Sequence, residues 1–127
     1  MLLDEPTSGL DSFRAFSIVK FLKQQALKGK TILATIHQPS SEAYAAFDKV
    51  ILMCDGHIVY QGPPHKVATH FDGMFSFPRY ANPADIAMKI LSINYPKQPA
   101  DDLHVSSLVE RYRKENMAED AAIAKEF

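Results

Sequence analysis

The sequence has a single cysteine, which removes one class of fold at the outset. Cys54 is the only cysteine in 127 residues, so small scaffolds held together by internal disulfides are excluded and a reducing, cytosolic setting is expected. It lies in the apolar run from Val50 to Cys54. In such a run a thiol usually serves as a small buried hydrophobic group and not as a reactive one.

Long apolar runs are also missing. No run is longer than the one from Val50 to Cys54, whereas a membrane-spanning helix needs roughly 20 apolar residues. The chain passes from Met1-Leu2-Leu3 straight into Asp4-Glu5, without the basic segment and long apolar core of a signal peptide. We therefore expect a soluble segment with no transmembrane helix and no secretory leader.

An excess of positive charge is the third absence. The chain has 14 basic and 15 acidic residues, for a formal net charge of -1. Proteins that bind nucleic acid need a basic face to neutralise phosphates. We therefore expect no nucleic-acid partner, and the 46% hydrophobic content is that of an ordinary globular domain.

Strands and helices alternate in the hydrophobic pattern, which indicates an α/β fold with a parallel sheet. Buried strands are expected at the N-terminus through Leu3 and over 31–36, because both segments are apolar on both faces. Between them a helix over about 12–28 is expected, which Asp11 or Ser12 caps and Gly29 ends. The next elements are a short helix capped by Ser40 or Ser41, a strand over 49–53, a turn at Asp55-Gly56, a return strand over 57–61 and a helix over about 64–71.

The last third of the chain predicts a packing loop followed by two helices. Phe75, Phe77 and Tyr80 are expected to pack onto the rest of the fold. The further elements are a helix over 83–91 capped by Asn82, a linker over 93–102, and a final helix that Ser106 or Ser107 caps and that runs to about 125. The apolar stripe of that final helix is weak, so we expect an exposed helix.

Three histidines lack partners at the fixed spacing of a metal site. They are His57, His65 and His70. Surface or hairpin roles are therefore expected for them instead of metal binding.

Polar residues follow two of the predicted strands. Leu3 leads into Asp4-Glu5, and Ile36 leads into His37. The carboxyl ends of parallel strands share one edge of a sheet, where ligands bind. In nucleotide hydrolysis one acid holds Mg²⁺ through its water shell, a second polarises the attacking water, and an imidazole can bond the terminal phosphate. For the Asp4-Glu5 pair considered alone, a solvated strand end is the commoner explanation. For His37 considered alone, it is a histidine whose hydrogen bonds are satisfied within the fold.

The surrounding residues favour the functional alternative. The run Leu2-Leu3-Asp4-Glu5-Pro6-Thr7-Ser8-Gly9-Leu10-Asp11 resembles the Walker B motif and D-loop of ATP-binding cassette proteins. One helix and one strand later, His37 lies where that family has its switch histidine. The resemblance implies that Asp4 is the Walker B aspartate and metal ligand, Glu5 the catalytic glutamate and His37 the switch histidine. It also implies nucleotide-site or D-loop roles for Ser8, Gly9, Leu10, Asp11 and Gln38, with the D-loop touching a partner cassette.

Further motifs are similar to those of the White-type, or G, subfamily. Thr35-Ile36-His37-Gln38-Pro39-Ser40 resembles its switch region, whereas many other cassettes have aspartate after the histidine. The segments 47–53 and 56–62 are similar to its final hairpin, and Asn82-Pro83-Ala84-Asp85 to its NPAD segment. Over about residues 1–92 the chain is thus identified as the C-terminal half of a White-type ATPase domain.

That resemblance implies a fold, an organisation and a function. The fold class is α/β, the C-terminal half of a P-loop NTPase (ATP-binding cassette) domain with parallel strands, a terminal β-hairpin and C-terminal helices. The cassette part would cover 1–72, a subfamily extension 73–92, and a linker with a helix 93–127. ATP and Mg²⁺ would be the cofactors of the full-length domain, and a second cassette and a transmembrane domain its partners. Members are typically half-transporters at the cytoplasmic face of a membrane, which export lipids or other hydrophobic substrates.

The phosphate-binding loop is absent from these 127 residues. That loop needs G-x-x-x-x-G-K-[ST], and Gly29-Lys30-Thr31 fails because Gln24 stands where the first glycine is required. The Q-loop and the signature sequence are absent too. We therefore expect a partial or truncated product that is poorly stable alone and binds Mg-ATP negligibly.

Two alternatives to a catalytic segment stay open. The fragment is non-catalytic and pairs with a full cassette as an interaction module, or it belongs to a soluble cassette acting in translation or DNA repair. Gln38-Pro39 and the NPAD segment favour transport over the second of these.

Overall fold

The computed structural model describes residues 1–75, 81–93 and 96–126 of the chain. In chain order the elements are β1 (Leu2–Asp4), α1 (Ser12–Leu27), β2 (Leu33–Thr35), α2 (Ser41–Ala46), β3 (Val50–Cys54), β4 (His57–Gly62), a 3₁₀ turn (Pro64–Lys66), α3 (Val67–His70), α4 (Pro83–Leu91) and α5 (Pro99–Glu126). The described strands form two separate two-stranded sheets.

The first sheet joins β1 and β2 in parallel, as the alternation of strands and helices predicts. Leu2 pairs with Leu33, Leu3 with Ala34 and Asp4 with Thr35. β2 is shorter than the predicted strand over 31–36. The reason is its partner, because β1 offers only three residues for pairing.

The expectation that both strands of this sheet are buried is wrong. Leu2 is 80% exposed and Leu33 is 55% exposed. A sheet of two strands has too few neighbours to cover both of its faces. The apolar sequence of these strands predicts covered faces, which the two described strands of this sheet do not provide.

The second sheet is the predicted hairpin. β3 and β4 pair antiparallel, with a register shift between Leu52 and Met53. Asp55 and Gly56 turn the chain with φ of 49° and 78°. Positive φ at both central residues is what a tight two-residue hairpin turn requires, and Asp-Gly is a favoured pair for it.

Three helices begin where the sequence predicts, each with a side chain that accepts a backbone N–H. The three caps are Asp11 Oδ1 with Arg14 N at 2.8 Å, Ser40 Oγ with Ala43 N at 3.2 Å, and Asn82 Oδ1 with Ala84 N at 2.9 Å. Such a cap satisfies one of the backbone donors that a helix start leaves open. From the sequence, either Asp11 or Ser12 could cap α1, and either Ser40 or Ser41 could cap α2. The hydrogen bonds in the structure identify Asp11 and Ser40 as the caps.

The final helix begins earlier than predicted. α5 starts at Pro99, so part of the predicted linker is helical and neither Ser106 nor Ser107 is its cap. Proline suits the first position of a helix because the N–H it lacks would have no partner there. The Gln98 N–H donates to Asp101 Oδ2 at 2.9 Å, which fixes this first turn.

The hydrophobic core is drawn from α2, the hairpin, α3, α4 and the first half of α5. Its most deeply buried large side chains are Val59, Phe71, Ile90 and Leu108. Leu108 shows that the first half of α5 is a packed element, so the expected exposed helix is wrong for that half. Phe75 packs against the core as predicted, whereas Phe77 and Tyr80 lie outside the described residues.

Tyr44 of α2 lies within this core. Its hydroxyl donates to the Pro64 carbonyl at 3.1 Å. Burial, with a smaller contribution from Tyr60, raises the pKa of Tyr44 from 10.0 to about 12. The side chain therefore stays neutral and keeps its role as a donor across the physiological range.

The β1–α1–β2 unit joins this core through α1. Val19 is the buried residue of α1, and Lys23 forms an ion pair with Asp48, which follows α2. Phe13 and Phe21 of the same helix remain 79% and 55% exposed. The unit that carries the candidate site is therefore attached to the core over a small area.

Candidate functional site

The parallel register brings the predicted site residues to one edge of the first sheet. Because Asp4 pairs with Thr35, Glu5 and His37 both follow the carboxyl ends of neighbouring strands. Asp4, Glu5, Thr35 and His37 form what we call the strand-end rim. The sequence therefore predicts correctly that the acidic pair and the histidine belong to the same edge.

One hydroxyl connects the two strands at this rim. Thr35 Oγ1 donates a hydrogen bond to Asp4 Oδ1 at 2.7 Å. The same oxygen accepts a hydrogen bond from the Glu5 N–H at 2.8 Å. Sequence reasoning quotes Thr35 only as part of a motif and gives it no role, because this pairing depends on the register between the strands.

The backbone turns sharply where each strand ends. Glu5 has φ of 45° and Gln38 has φ of 47°. Left-handed backbone costs an L-residue roughly 1–2 kcal/mol relative to its ordinary conformations. Such outliers concentrate at functional sites, where the surroundings hold them, and here one is in the rim and the other directly follows its His37.

The rim side chains are open to solvent. Asp4, Glu5, Thr35 and His37 are all exposed, and so is the neighbouring Gln38. In the described part of the chain, no group of three or more histidine, cysteine or acidic side chains could hold a metal by itself. Mg²⁺ commonly binds through one or two carboxylates together with substrate phosphates, so the single Asp4 carboxylate fits a magnesium ion that a nucleotide brings.

The predicted D-loop residues form the turn between β1 and α1. Ser8 N–H bonds the Glu5 carbonyl at 3.1 Å, and Leu10 N–H bonds the Thr7 carbonyl at 3.3 Å. Gly9 has φ of 75°, and the turn from Ser8 to Asp11 is exposed. Asp11 has a local role, since it caps α1 and lies 3.7 Å from Arg14. Its contact with a partner cassette stays a prediction.

Two shallow depressions lie elsewhere on the surface. One is between His57 and α5, and the other is between α1 and α2. Neither includes a residue of the strand-end rim. The rim residues themselves are exposed at the edge of their sheet.

A buried histidine is a feature that sequence reasoning missed. His70 was expected at the surface, yet it is 7% exposed. Its Nδ1 lies 2.8 Å from Glu115 Oε2, and its Nε2 is buried without a hydrogen-bond partner among the described residues. The spacing of Val67, His70 and Phe71 follows one helix face and could have indicated burial.

Curated relatives of the chain are transporters of the White and G families. The fruit-fly (Drosophila melanogaster) protein white is 45% identical over 94 residues, which are 73% of this chain and 14% of the fly protein. Human ATP-binding cassette sub-family G member 8 is 41% identical over 95 residues, 74% of this chain and 14% of that protein. Arabidopsis thaliana ABC transporter G family member 21 is 35% identical over 127 residues, 98% of this chain and 19% of that protein. The chain therefore spans less than a fifth of the length of these relatives.

A family model described as "ABC-2 type transporter" matches residues 37–116. This is a membrane-domain family, so the identification of the chain as the C-terminal half of an ATPase domain is wrong, while the likeness to White-type transporters stands. Among the helices within 1–75, 81–93 and 96–126, none is long and apolar enough to cross a membrane. Because the match covers more than half of its residues, the chain belongs to the ABC-2 type transporter family, with White-type and other G-family transporters as its relatives.

Proposed function

We propose that the strand-end rim handles the terminal phosphate of ATP in a White-type transporter, and that this reaction drives the movement of a hydrophobic substrate across a membrane. What carries the proposal is the parallel register that pairs Asp4 with Thr35. It brings a carboxylate pair and an imidazole to the carboxyl ends of neighbouring strands, which is the edge of an α/β sheet where nucleotides bind.

Each rim residue has a distinct role in this proposal. Asp4 would hold the water shell of Mg²⁺, an ion that usually keeps several of its waters. When it is bound, the ion neutralises negative charge on the phosphate oxygens. Glu5 would orient the attacking water and accept its proton, and His37 would donate a hydrogen bond to a terminal phosphate oxygen.

The proposal extends to the surroundings of the rim. We infer that β1 and β2 belong to a larger parallel sheet of the P-loop NTPase type, completed by other parts of the transporter. The exposure of Leu2 and Leu33 supports this, because strands apolar on both faces are those of covered parallel sheets. A partner half-transporter with its ATPase domain would complete the assembly, at the cytoplasmic face of the membrane.

The test is ATP turnover by the full transporter that contains this chain, reconstituted in lipid. Glu5→Gln keeps the size of the side chain and removes its ability to accept a proton. We expect a fall in kcat of at least about 100-fold, the range of general-base catalysis, with ATP affinity nearly unchanged. Glu42→Gln is the matched control, since Glu42 is an exposed acid in the first turn of α2 outside the rim. If Glu5→Gln turns over ATP as fast as Glu42→Gln does, the proposal is wrong.

A second candidate is a non-catalytic module that pairs with a full cassette. The exposed turn from Ser8 to Asp11 favours it, because Leu10 is an apolar residue 39% exposed within that turn. Leu10→Asp would then weaken assembly of the transporter, measured by co-purification of differently tagged subunits. This candidate holds in place of the first only if Glu5→Gln leaves ATP turnover intact.

A further inference from the structure

We propose that Thr35 is a positioning residue, which fixes both the Asp4 carboxylate and the backbone of Glu5 for the reaction at the rim. The inference rests on the proposed function, since the geometry that Thr35 holds matters only if the rim handles a phosphate. Its basis is one oxygen atom that serves two residues of the neighbouring strand, at 2.7 Å and 2.8 Å.

The hydroxyl group is suited to this double role. A threonine hydroxyl has one proton to donate and lone pairs to accept. Its proton goes to Asp4 Oδ1, so the bond is to a charged acceptor and is stronger than a neutral one. A lone pair receives the Glu5 N–H. A valine in its place would have the same shape and could make neither bond.

The Glu5 backbone needs such a restraint. Its φ of 45° is an unfavourable conformation for a residue with a side chain. Strained backbone of this kind persists where surrounding contacts hold it. If the strand continued in extended form, the side chain of Glu5 would alternate to the face opposite that of Asp4. The bond from Glu5 N–H to Thr35 thus helps to decide where the Glu5 carboxylate points.

Thr35 also ties the two halves of the rim together. It lies in β2, the strand that leads to His37, and it bonds to Asp4 at the end of β1 and to Glu5 directly after that strand. Backbone pairing joins the two strands from Leu2 with Leu33 to Asp4 with Thr35, and the Thr35 hydroxyl adds the side-chain bonds at the end where the rim lies. At the rim, the Thr35 side chain thus acts together with the backbone pairing to fix the two acids relative to the strand that leads to His37.

A pair of substitutions separates the hydroxyl from the shape of the side chain. Thr35→Val removes the hydroxyl, and Thr35→Ser keeps it. In the full transporter we expect Thr35→Val to lower kcat about 10- to 100-fold and to raise the Mg²⁺ concentration needed for half-maximal turnover, as for other residues that orient a metal ligand. Thr35→Ser should stay within about three-fold of the unchanged protein. Thr31→Val is the matched control, because Thr31 is an exposed threonine just before β2, outside the rim.

Hydrogen exchange of the Glu5 amide supplies a readout that does not depend on ATP turnover. Measured on the full transporter without nucleotide, Thr35→Val should accelerate exchange at Glu5 about ten-fold or more, whereas Thr35→Ser and Thr31→Val should not. A general weakening of the sheet would instead accelerate Leu33, whose N–H bonds Met1, to the same extent. Equal acceleration at Glu5 and Leu33 would therefore overturn the positioning role.

The outcomes distinguish this inference from the proposed function. If Glu5→Gln abolishes turnover while Thr35→Val leaves kcat and the Mg²⁺ requirement unchanged, the rim is catalytic and the role given to Thr35 is wrong. If Glu5→Gln leaves turnover intact, the proposed function fails, and the positioning role fails with it even where exchange at Glu5 responds to Thr35→Val. Loss of kcat in Thr35→Val, with rescue by Thr35→Ser and faster exchange confined to Glu5, supports both.

Discussion

The imidazole of His70 is enclosed by aromatic rings and bound to α5 through one nitrogen. Its ring centroid lies 5.0 Å from that of Tyr60 and 4.5 Å from that of Phe71. Arg111 donates to the His70 carbonyl at 3.0 Å, close to the bond between His70 and Glu115. A buried donor that loses its acceptor costs more than the bond itself contributes, so the acceptor on Glu115 matters for stability.

We expect Glu115→Ala to lower the free energy of unfolding by about 1 kcal/mol, because the buried His70 Nδ1 then loses its partner. A buried donor left without an acceptor costs about 1–3 kcal/mol. We expect the low end of that range because the Glu115 side chain is 51% exposed and water can partly replace it. Glu115→Gln keeps an acceptor oxygen and should cost less than about 0.5 kcal/mol. Urea unfolding at neutral pH measures both variants.

Glu110→Ala is the control for that measurement. The Glu110 side chain is 68% exposed and pairs with Lys114, which is 73% exposed, so its removal should change stability by less than about 0.5 kcal/mol. Equal losses for Glu110→Ala and Glu115→Ala would contradict the account. So would a loss in Glu115→Gln as large as that in Glu115→Ala.

Which single residues can be predicted from sequence depends on how local their partners are. Asp4, Glu5 and His37 are recognisable because each directly follows an apolar strand. The partners of Thr35 and His70 come from segments 30 and 45 positions away. No pattern along the chain encodes those contacts, so Thr35 received no role and His70 a wrong one.

Helix α4 is short, and the residue that caps it contributes to its stability. Asn82 caps it at 2.9 Å, and Pro83 follows at a position where it needs no N–H partner. On its inner face Ala84, Ala87 and Ile90 are buried in the core. A helix of nine residues is too short to be stable alone, so the cap and this packing together hold it.

Asn82→Ala should therefore lower the free energy of unfolding by about 1 kcal/mol, the usual cost of losing a side-chain cap. Asn82→Asp keeps an acceptor at the same place and should change stability by less than about 0.5 kcal/mol. Thermal or urea unfolding of the two variants checks the prediction. Equal stabilities would show that the N-terminus of α4 needs no side-chain acceptor.

The start of a helix can be predicted from sequence where a capping residue marks it. The prediction fails where a residue is equally suited to a helix and to a linker. Asp11, Ser40 and Asn82 mark true helix starts, and each bonds an N–H in the following turn. Pro99 suits a linker as well as a first helical turn, and the bond from Gln98 N–H to Asp101 decides for the helix. The end of β2 could not be predicted either, because it is set by the length of β1.

At the scale of the whole molecule, the chain divides into a well-packed core and a lightly attached N-terminal unit. The core cluster begins at Tyr44 and ends at Leu108. In the β1–α1–β2 unit, Val19 is the buried apolar residue of α1, while Leu2 and Leu33 face solvent. Parts of a protein with few buried contacts open at a lower free energy than its core.

We expect native-state hydrogen exchange on this chain to reveal that difference. Amides of α1 and β2 should exchange through an opening that costs less free energy than the opening of the β3–β4 hairpin. Val19→Ala should lower the opening free energy of α1 by about 1 kcal/mol or more and leave that of the hairpin unchanged. An equal fall in both regions would show a single cooperative unit and contradict this division.

The apolar strands of the N-terminal unit could be predicted from sequence, but their surroundings could not. A strand that is hydrophobic on both faces indicates a covered position, which the two described strands of that sheet do not provide. Likewise, the Walker B-like run suggested an ATPase domain, whereas the family match over residues 37–116 is to ABC-2 type transporters. A motif of a few residues does not by itself identify the domain that contains it.

The most direct test of the central claim is a cryo-electron microscopy map of the full transporter bearing Glu5→Gln, with Mg-ATP bound. Slowed turnover in this variant should keep the nucleotide intact during the measurement. The account predicts the terminal phosphate between residue 5 and His37, within one hydrogen bond or one bridging water of each. A nucleotide bound away from both residues, or a rim that faces no nucleotide at all, would contradict it.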